Sequence, residues 1–141
     1  MDFNKTYIKY LQKHLYKNLP SSTFKLKNTH YNFLYIIPAY KEYKYIGNTL
    51  NSINKQNSKL LLETLVIIVI NNSKDENKSI IANNYKTHEF LKRKSYQFEH
   101  VVLDYYSLSN AFIKKKSGVG IARKIGMDFA LKFSKKKSLL C

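Results

Sequence analysis

The stretch Phe33-Leu34-Tyr35-Ile36-Ile37-Pro38-Ala39-Tyr40-Lys41-Glu42, taken with Leu65-Val66-Ile67-Ile68-Val69-Ile70-Asn71-Asn72-Ser73, decides the fold. Each opens as a continuous apolar run without alternation. Pro38 stops the first and an asparagine pair stops the second. A strand with no polar face is buried on both sides, as in a parallel sheet covered by helices on both faces. Helical spacing follows each run: Ile46, Leu50 and Ile53 over 44–56, then Ile80, Ile81, Tyr85 and Leu91 over 75–91, all predicted to point inward. Val101-Val102-Leu103 predicts a third strand. Residues 119–134 predict a last helix, with Ala122, Ile125, Phe129, Ala130 and Phe133 inward and Lys124, Asp128 and Lys132 on the opposite stripe. Ser138-Leu139-Leu140-Cys141 reads as the opening of a fourth strand. The expected fold is α/β: part of a three-layer arrangement of helices, parallel sheet and helices.

Working outward, residues 1–31 divide from 32–141. Phe3, Tyr7, Ile8, Leu11, Leu15 and Leu19 recur at three- and four-residue steps, with Lys5, Lys9, Lys13 and Lys17 on another face. An amphipathic helix is expected over 3–19, stopped at Pro20-Ser21-Ser22 and followed by a polar linker. Such a helix packs on its own domain or lies on an anionic membrane surface, giving a peripheral contact.

The chain has 141 residues, 44% of them hydrophobic, with 12 Tyr and 8 Phe, enough for one core. Its longest purely apolar run, 65–70, is six residues, against about 18 for a membrane span. The lysine-studded start shows no secretory leader, and the single cysteine, Cys141, gives no disulfide framework and no cysteine-rich metal site. A cytoplasmic address follows, extending to the inner face of the membrane if the first helix docks there. The formal charge is +16, yet all but two of the 25 basic residues are lysine, the exceptions being Arg93 and Arg123. Base and phosphate readers lean on the guanidinium fork, so nucleic acid is a poor fit. A small, basic, non-enzymatic protein that binds nucleic acid or an acidic partner is the alternative class. His14, His30, His88 and His100 show no metal-ligand spacing.

In an open parallel sheet, ligands bind outside the carboxyl ends of the strands, which directs attention to loops 38–43, 71–77 and 104–120. Tyr40 is placed to stack on a flat heterocycle or to pack under the next helix. Asn71 and Asn72 carry carboxamides, whose oxygen accepts from an imide N–H such as that of uracil. Ser73 or Asp75 can cap the helix that follows. Gly118 and Gly120 open a helix whose free amides favour a diphosphate, with Arg123 one turn further in. These glycines come late in the chain, which argues against a dinucleotide fingerprint.

Three stretches in order carry a resemblance: Ile37-Pro38-Ala39-Tyr40-Lys41-Glu42 with its following helix, Val66 to Asn72 with Ser73 and Asp75, and Gly118-Val119-Gly120-Ile121-Ala122-Arg123-Lys124-Ile125-Gly126-Met127-Asp128-Phe129-Ala130. Over about residues 33–141 the chain resembles the N-terminal, nucleotide-binding half of family 2 glycosyltransferases of the GT-A (Rossmann-like) fold. The resemblance implies transfer of a sugar from a nucleoside-diphosphate sugar, such as a UDP-sugar, to an acceptor hydroxyl with inversion. It implies that Pro38, Ala39 and Tyr40 border the base with Glu42 nearby, that Asn71 or Asn72 takes the place of the family's base-reading aspartate, and that Arg123 approaches the nucleotide or its diphosphate. It also implies Mg2+ or Mn2+ held by an Asp-x-Asp motif. No Asp-x-Asp occurs in this sequence, and no residue matches the family's catalytic base. The expectation is a chain truncated before that motif, inactive by itself, with Val101 to Leu103 left as an apolar edge that lacks its neighbouring strand. Lys124 stands where the family usually carries Asn.

Overall fold

The computed structural model describes residues 3–20, 24–113 and 118–141. The Lys114–Lys116 run and the serines at 21 and 22 lie outside them. Element order is α1 (Phe3–Lys13), β1 (Tyr31–Ala39), α2 (Ile46–Asn54), α3 (Ser58–Leu62), β2 (Thr64–Asn71), α4 (Lys78–Lys92), β3 (Glu99–Tyr105), α5 (Val119–Ala130) and β4 (Ser134–Leu140). The four strands form one all-parallel sheet in the order β3-β2-β1-β4. All eight residues of β2 are buried, which is why its sequence has no polar face. Against one face pack Ile46, Leu50, Leu61 and Leu91 from α2, α3 and α4. Against the other pack Ala122, Ile125, Phe129 and Ala130 of α5. This is the partial GT-A-type α/β arrangement expected, and it sets every strand-to-helix loop along one sheet edge.

Several boundaries and one face differ from the sequence-based expectation. The first helix ends at Lys13, not at residue 19, although Tyr16 and Leu19 still pack on the core. A short helix, α3, precedes β2; Asn57 caps it by accepting from the Lys59 amide at 2.9 Å. Tyr85 is exposed, and the inward side of α4 is Asn84, Thr87 and Leu91. The last helix stops at Ala130 and passes through a 3-10 turn, Leu131–Phe133. β4 therefore begins at Ser134, before the expected Ser138, and runs beside β1, with Cys141 exchanging backbone bonds with Leu34 and Ile36. Lysines 135–137 fall where the β1–β4 register shifts. Ser138 closes that irregularity, donating to the Tyr31 carbonyl and accepting from the Lys135 amide, each at 2.6 Å.

Asp128 is the largest correction. It is buried, not on a solvated stripe, because α1 docks on α5 there. The Tyr10 hydroxyl donates to one of its oxygens, and the Tyr16 amide (2.8 Å) and the Lys124 ammonium (2.7 Å) donate to the other. Lys124 also donates to the His14 carbonyl at 2.7 Å, just past the end of α1, where cations are favoured. Burial works against its charge, but the Asp128 carboxylate holds the Lys124 ammonium above its ordinary value. Lysine at 124 thus has a structural partner in the N-terminal segment. Among the described residues β3 has no strand beyond it, but the same segment covers one of its faces: Tyr16, Leu19, Phe24 and Leu26 join the core that contains Val101, Leu103 and Tyr105. The Tyr105 hydroxyl donates to the Asn18 carbonyl at 2.7 Å. β3 is an edge strand, but its inner face is not exposed. Replacing Asp128 by alanine strands three donors and is expected to cost about 1–3 kcal/mol, with trypsin then cutting within α1 before the rest of the chain. Urea denaturation and timed proteolysis check this.

Candidate nucleotide site

The site begins with how β1 ends. Pro38 completes the strand opposite Val69, and Ala39 is fully buried beneath the loop. The chain turns at Lys41, whose φ of 55° lies in the left-handed region. The turn is held from α4: the Lys41 amide donates to Asn84 Oδ1 at 3.0 Å and the Tyr43 amide to Asn83 Oδ1 at 3.2 Å. This throws Tyr40 outward, 44% exposed. Its hydroxyl donates to Glu76 Oε2 at 2.9 Å. Burial and the neighbouring Glu76 carboxylate both push the phenol above its ordinary value, so it stays a donor.

At the end of β2 the two asparagines separate. Asn71 donates both amide hydrogens, to the carbonyls of Ala39 (3.3 Å) and Val69 (3.2 Å). Two carbonyls on the nitrogen side fix which way the carboxamide points. The group left for a ligand is its oxygen, an acceptor. Asn72 is tied on both ends: it donates to the carbonyls of Ser73 (2.9 Å) and Tyr106 (3.1 Å) and accepts from Asn84 at 2.9 Å. Asn84 also donates to the Asn71 carbonyl at 3.1 Å. One fully buried side chain therefore ties the loop after β1 to the end of β2. The helix that follows is capped by Asn77, which accepts from the Ser79 amide at 2.8 Å, and not by Ser73 or Asp75. Ser73 instead forms a parallel bridge with Phe112, and Asp75 is exposed.

The third wall is the start of α5. Gly118 is its N-cap with φ 121°, a conformation open to glycine and strained for other residues. Pro38, Tyr40, Glu42, Asn71, Ser73, Glu76, Gly118 and Val119 enclose a cavity of 410 Å³ at the carboxyl edge of the sheet, within the range for small-molecule sites. Of the residues singled out in the sequence, the cavity gathers Pro38, Tyr40, Glu42 and Asn71. Ala39 and Asn72 lie behind it as support. Arg123 is exposed on α5 and does not line it. Glu76 and Asn84 escaped the sequence reading. The one signal for the latter is the pair Asn83-Asn84 inside a helix, where Asn is disfavoured unless it has a bonding role.

The sequence model described as glycosyl transferase family 2 matches residues 35–131, more than half of the chain. The chain belongs to that family. No curated protein and no solved structure matches. The family generally uses a divalent metal on its sugar-nucleotide donor. Among the described residues no three His, Cys, Asp or Glu side chains come together as a metal site. Of the two carboxylates at the cavity, Glu76 already accepts from Tyr40 and from the Asn77 amide. The residues described do not fit the ion. Among them, no helix is long and apolar enough to cross a membrane.

Proposed function

We propose that the sheet-edge cavity binds the nucleoside-diphosphate part of a sugar donor, in a glycosyltransferase that moves the sugar to an acceptor hydroxyl with inversion. The observation that carries this is the bonding of Asn71. With both amide hydrogens occupied, it offers the acceptor that an aspartate offers at the corresponding place in the family, and an acceptor suits the imide N–H of uracil. Tyr40 supplies a ring face to the base, and Glu42 can accept from a ribose hydroxyl. The amides at the start of α5 favour the diphosphate, with exposed Arg123 one turn on to meet it. The chain by itself is expected to transfer no sugar, since its sequence has no Asp-x-Asp and no assigned base.

Calorimetric titration with UDP tests this. Saturable binding is expected, weakened by about 1–3 kcal/mol in Tyr40→Ala, the range for base–aromatic stacking. Equal affinities in the two proteins would reduce Tyr40 to a packing residue.

The proposal includes a peripheral contact of α1 with an anionic membrane. Held to α5 through Tyr10, the helix presents exposed Lys5, Lys9 and Lys13 beside Ile8 and Leu11, which are 53% and 36% exposed. It carries no acidic residue. Sedimentation with phosphatidylserine vesicles should recover the protein, phosphatidylcholine vesicles should not, and Lys5→Glu/Lys9→Glu should lower recovery about tenfold or more, at about 1 kcal/mol per lysine near an anionic surface.

A further inference from the structure

We infer a second ligand site, for a sugar carrying an anionic group, on the far side of the Ser73–Phe112 bridge from the nucleotide cavity. A cavity of 630 Å³ opens there between the segment after α1 and the loop after β3. Its lining includes the half-buried Tyr16, with the nearly buried Tyr105 and Phe112 behind it; Tyr105 is set edge-on to Tyr16 and tilted against Phe112. Among the described residues its cations are Lys17, Lys74 and Lys124, with His14 beside them, and no carboxylate lines it. Lys124 is already paired with Asp128, so among the described residues of the lining Lys17 and Lys74, both exposed, are the charges left for a ligand. Asn110 and Ser109 add neutral hydrogen-bonding groups.

A half-buried tyrosine at the rim suits the apolar face of a sugar ring, and ammonium groups without opposing acids suit a phosphate or carboxylate. The volume suits one or two sugar rings. The two cavities share the loop after β2: Ser73 lines one and Lys74 the other, and the Lys74 amide is fixed to the Phe112 carbonyl at 2.7 Å. A ligand on each side of that loop would sit as donor and acceptor. Calling the second ligand an acceptor rests on the glycosyltransferase proposal; the site itself rests on its lining.

The test is calorimetric titration of the full chain with glucose 6-phosphate, glucuronate and glucose. Saturable binding of at least one anionic sugar is expected, with glucose binding far more weakly. The stronger of the two anionic arms tells phosphate from carboxylate. Lys17→Glu/Lys74→Glu should weaken that binding by roughly tenfold or more, through reversal of both charges, while leaving UDP affinity unchanged. Lys59→Glu/Lys86→Glu, on α3 and α4, should alter neither. Anionic sugars binding no better than glucose, an equal loss in the Lys59/Lys86 variant, or loss of sugar binding in Tyr40→Ala would overturn the site. Sugar binding without UDP binding would refute the nucleotide proposal and leave this site standing. UDP binding alone would do the reverse.

Discussion

Asn84→Ala is expected to destabilise the protein by about 3–5 kcal/mol, because two buried acceptors and one part-buried amide lose their partner together, at about 1–3 kcal/mol each. Asn84 is fully buried in the middle of α4. It accepts from the Lys41 amide and donates to the Asn71 carbonyl and to Asn72 Oδ1. Alanine returns only about half a kcal/mol of helix propensity, so the loss dominates. The left-handed turn at Lys41 depends on the same bond, so folded protein that remains should bind UDP more weakly. Urea unfolding with a lowered midpoint and an unchanged slope is the expected result. A loss below about 1 kcal/mol would mean that water substitutes for the side chain.

Gly126→Val should cost about 3–4 kcal/mol, the upper end for overpacking. Gly126 is where α5 lies closest to the sheet: a Cβ there would collide with the Ile36 Cγ2 methyl and stand 3.2 Å from Val69 Cγ2. The Ile36 methyl branches at Cβ and cannot swing away as a long side chain would. Any gain from replacing glycine in a helix, about 1 kcal/mol for alanine and less for valine, is too small to offset that clash. Ile36→Ala in the same chain should recover part of the loss, and thermal or urea unfolding of the four proteins of the cycle measures how much. Simple additivity of the two substitutions would show that α5 can move off the sheet.

Legibility in the sequence followed the physics of each signal. The centres of β1 and β2 stood out because strands buried on both faces leave unbroken apolar runs. Their ends did not, since Tyr31, Asn32 and Asn71 carry no such pattern and are set by pairing. Asp128 sits at a regular position on the polar side of α5, and helical periodicity alone has no knowledge of a second helix covering that side. Tyr10, 118 residues earlier, makes the difference. At the site, Pro38, Tyr40 and Asn71 were legible because parallel strands deliver their carboxyl ends to one edge. Glu76 and Asn84 were not, since they meet Tyr40 and Lys41 only once α4 has folded back along the sheet. Asn71 and Asn72, adjacent and chemically identical, were told apart only by which carbonyls each amide meets.

The most direct measurement on the nucleotide proposal is a pair of calorimetric titrations, UDP and CDP, into the same protein at physiological salt. Asn71 presents an oxygen that can accept from the imide N–H of uracil, whereas cytosine offers an acceptor at that ring position and would face it oxygen to nitrogen. UDP should bind saturably and about tenfold or more tighter than CDP, the equivalent of about 1.4 kcal/mol for one hydrogen bond made against one refused. No saturable UDP binding, or CDP binding as tightly as UDP, would contradict the assignment of this cavity to a uridine nucleotide.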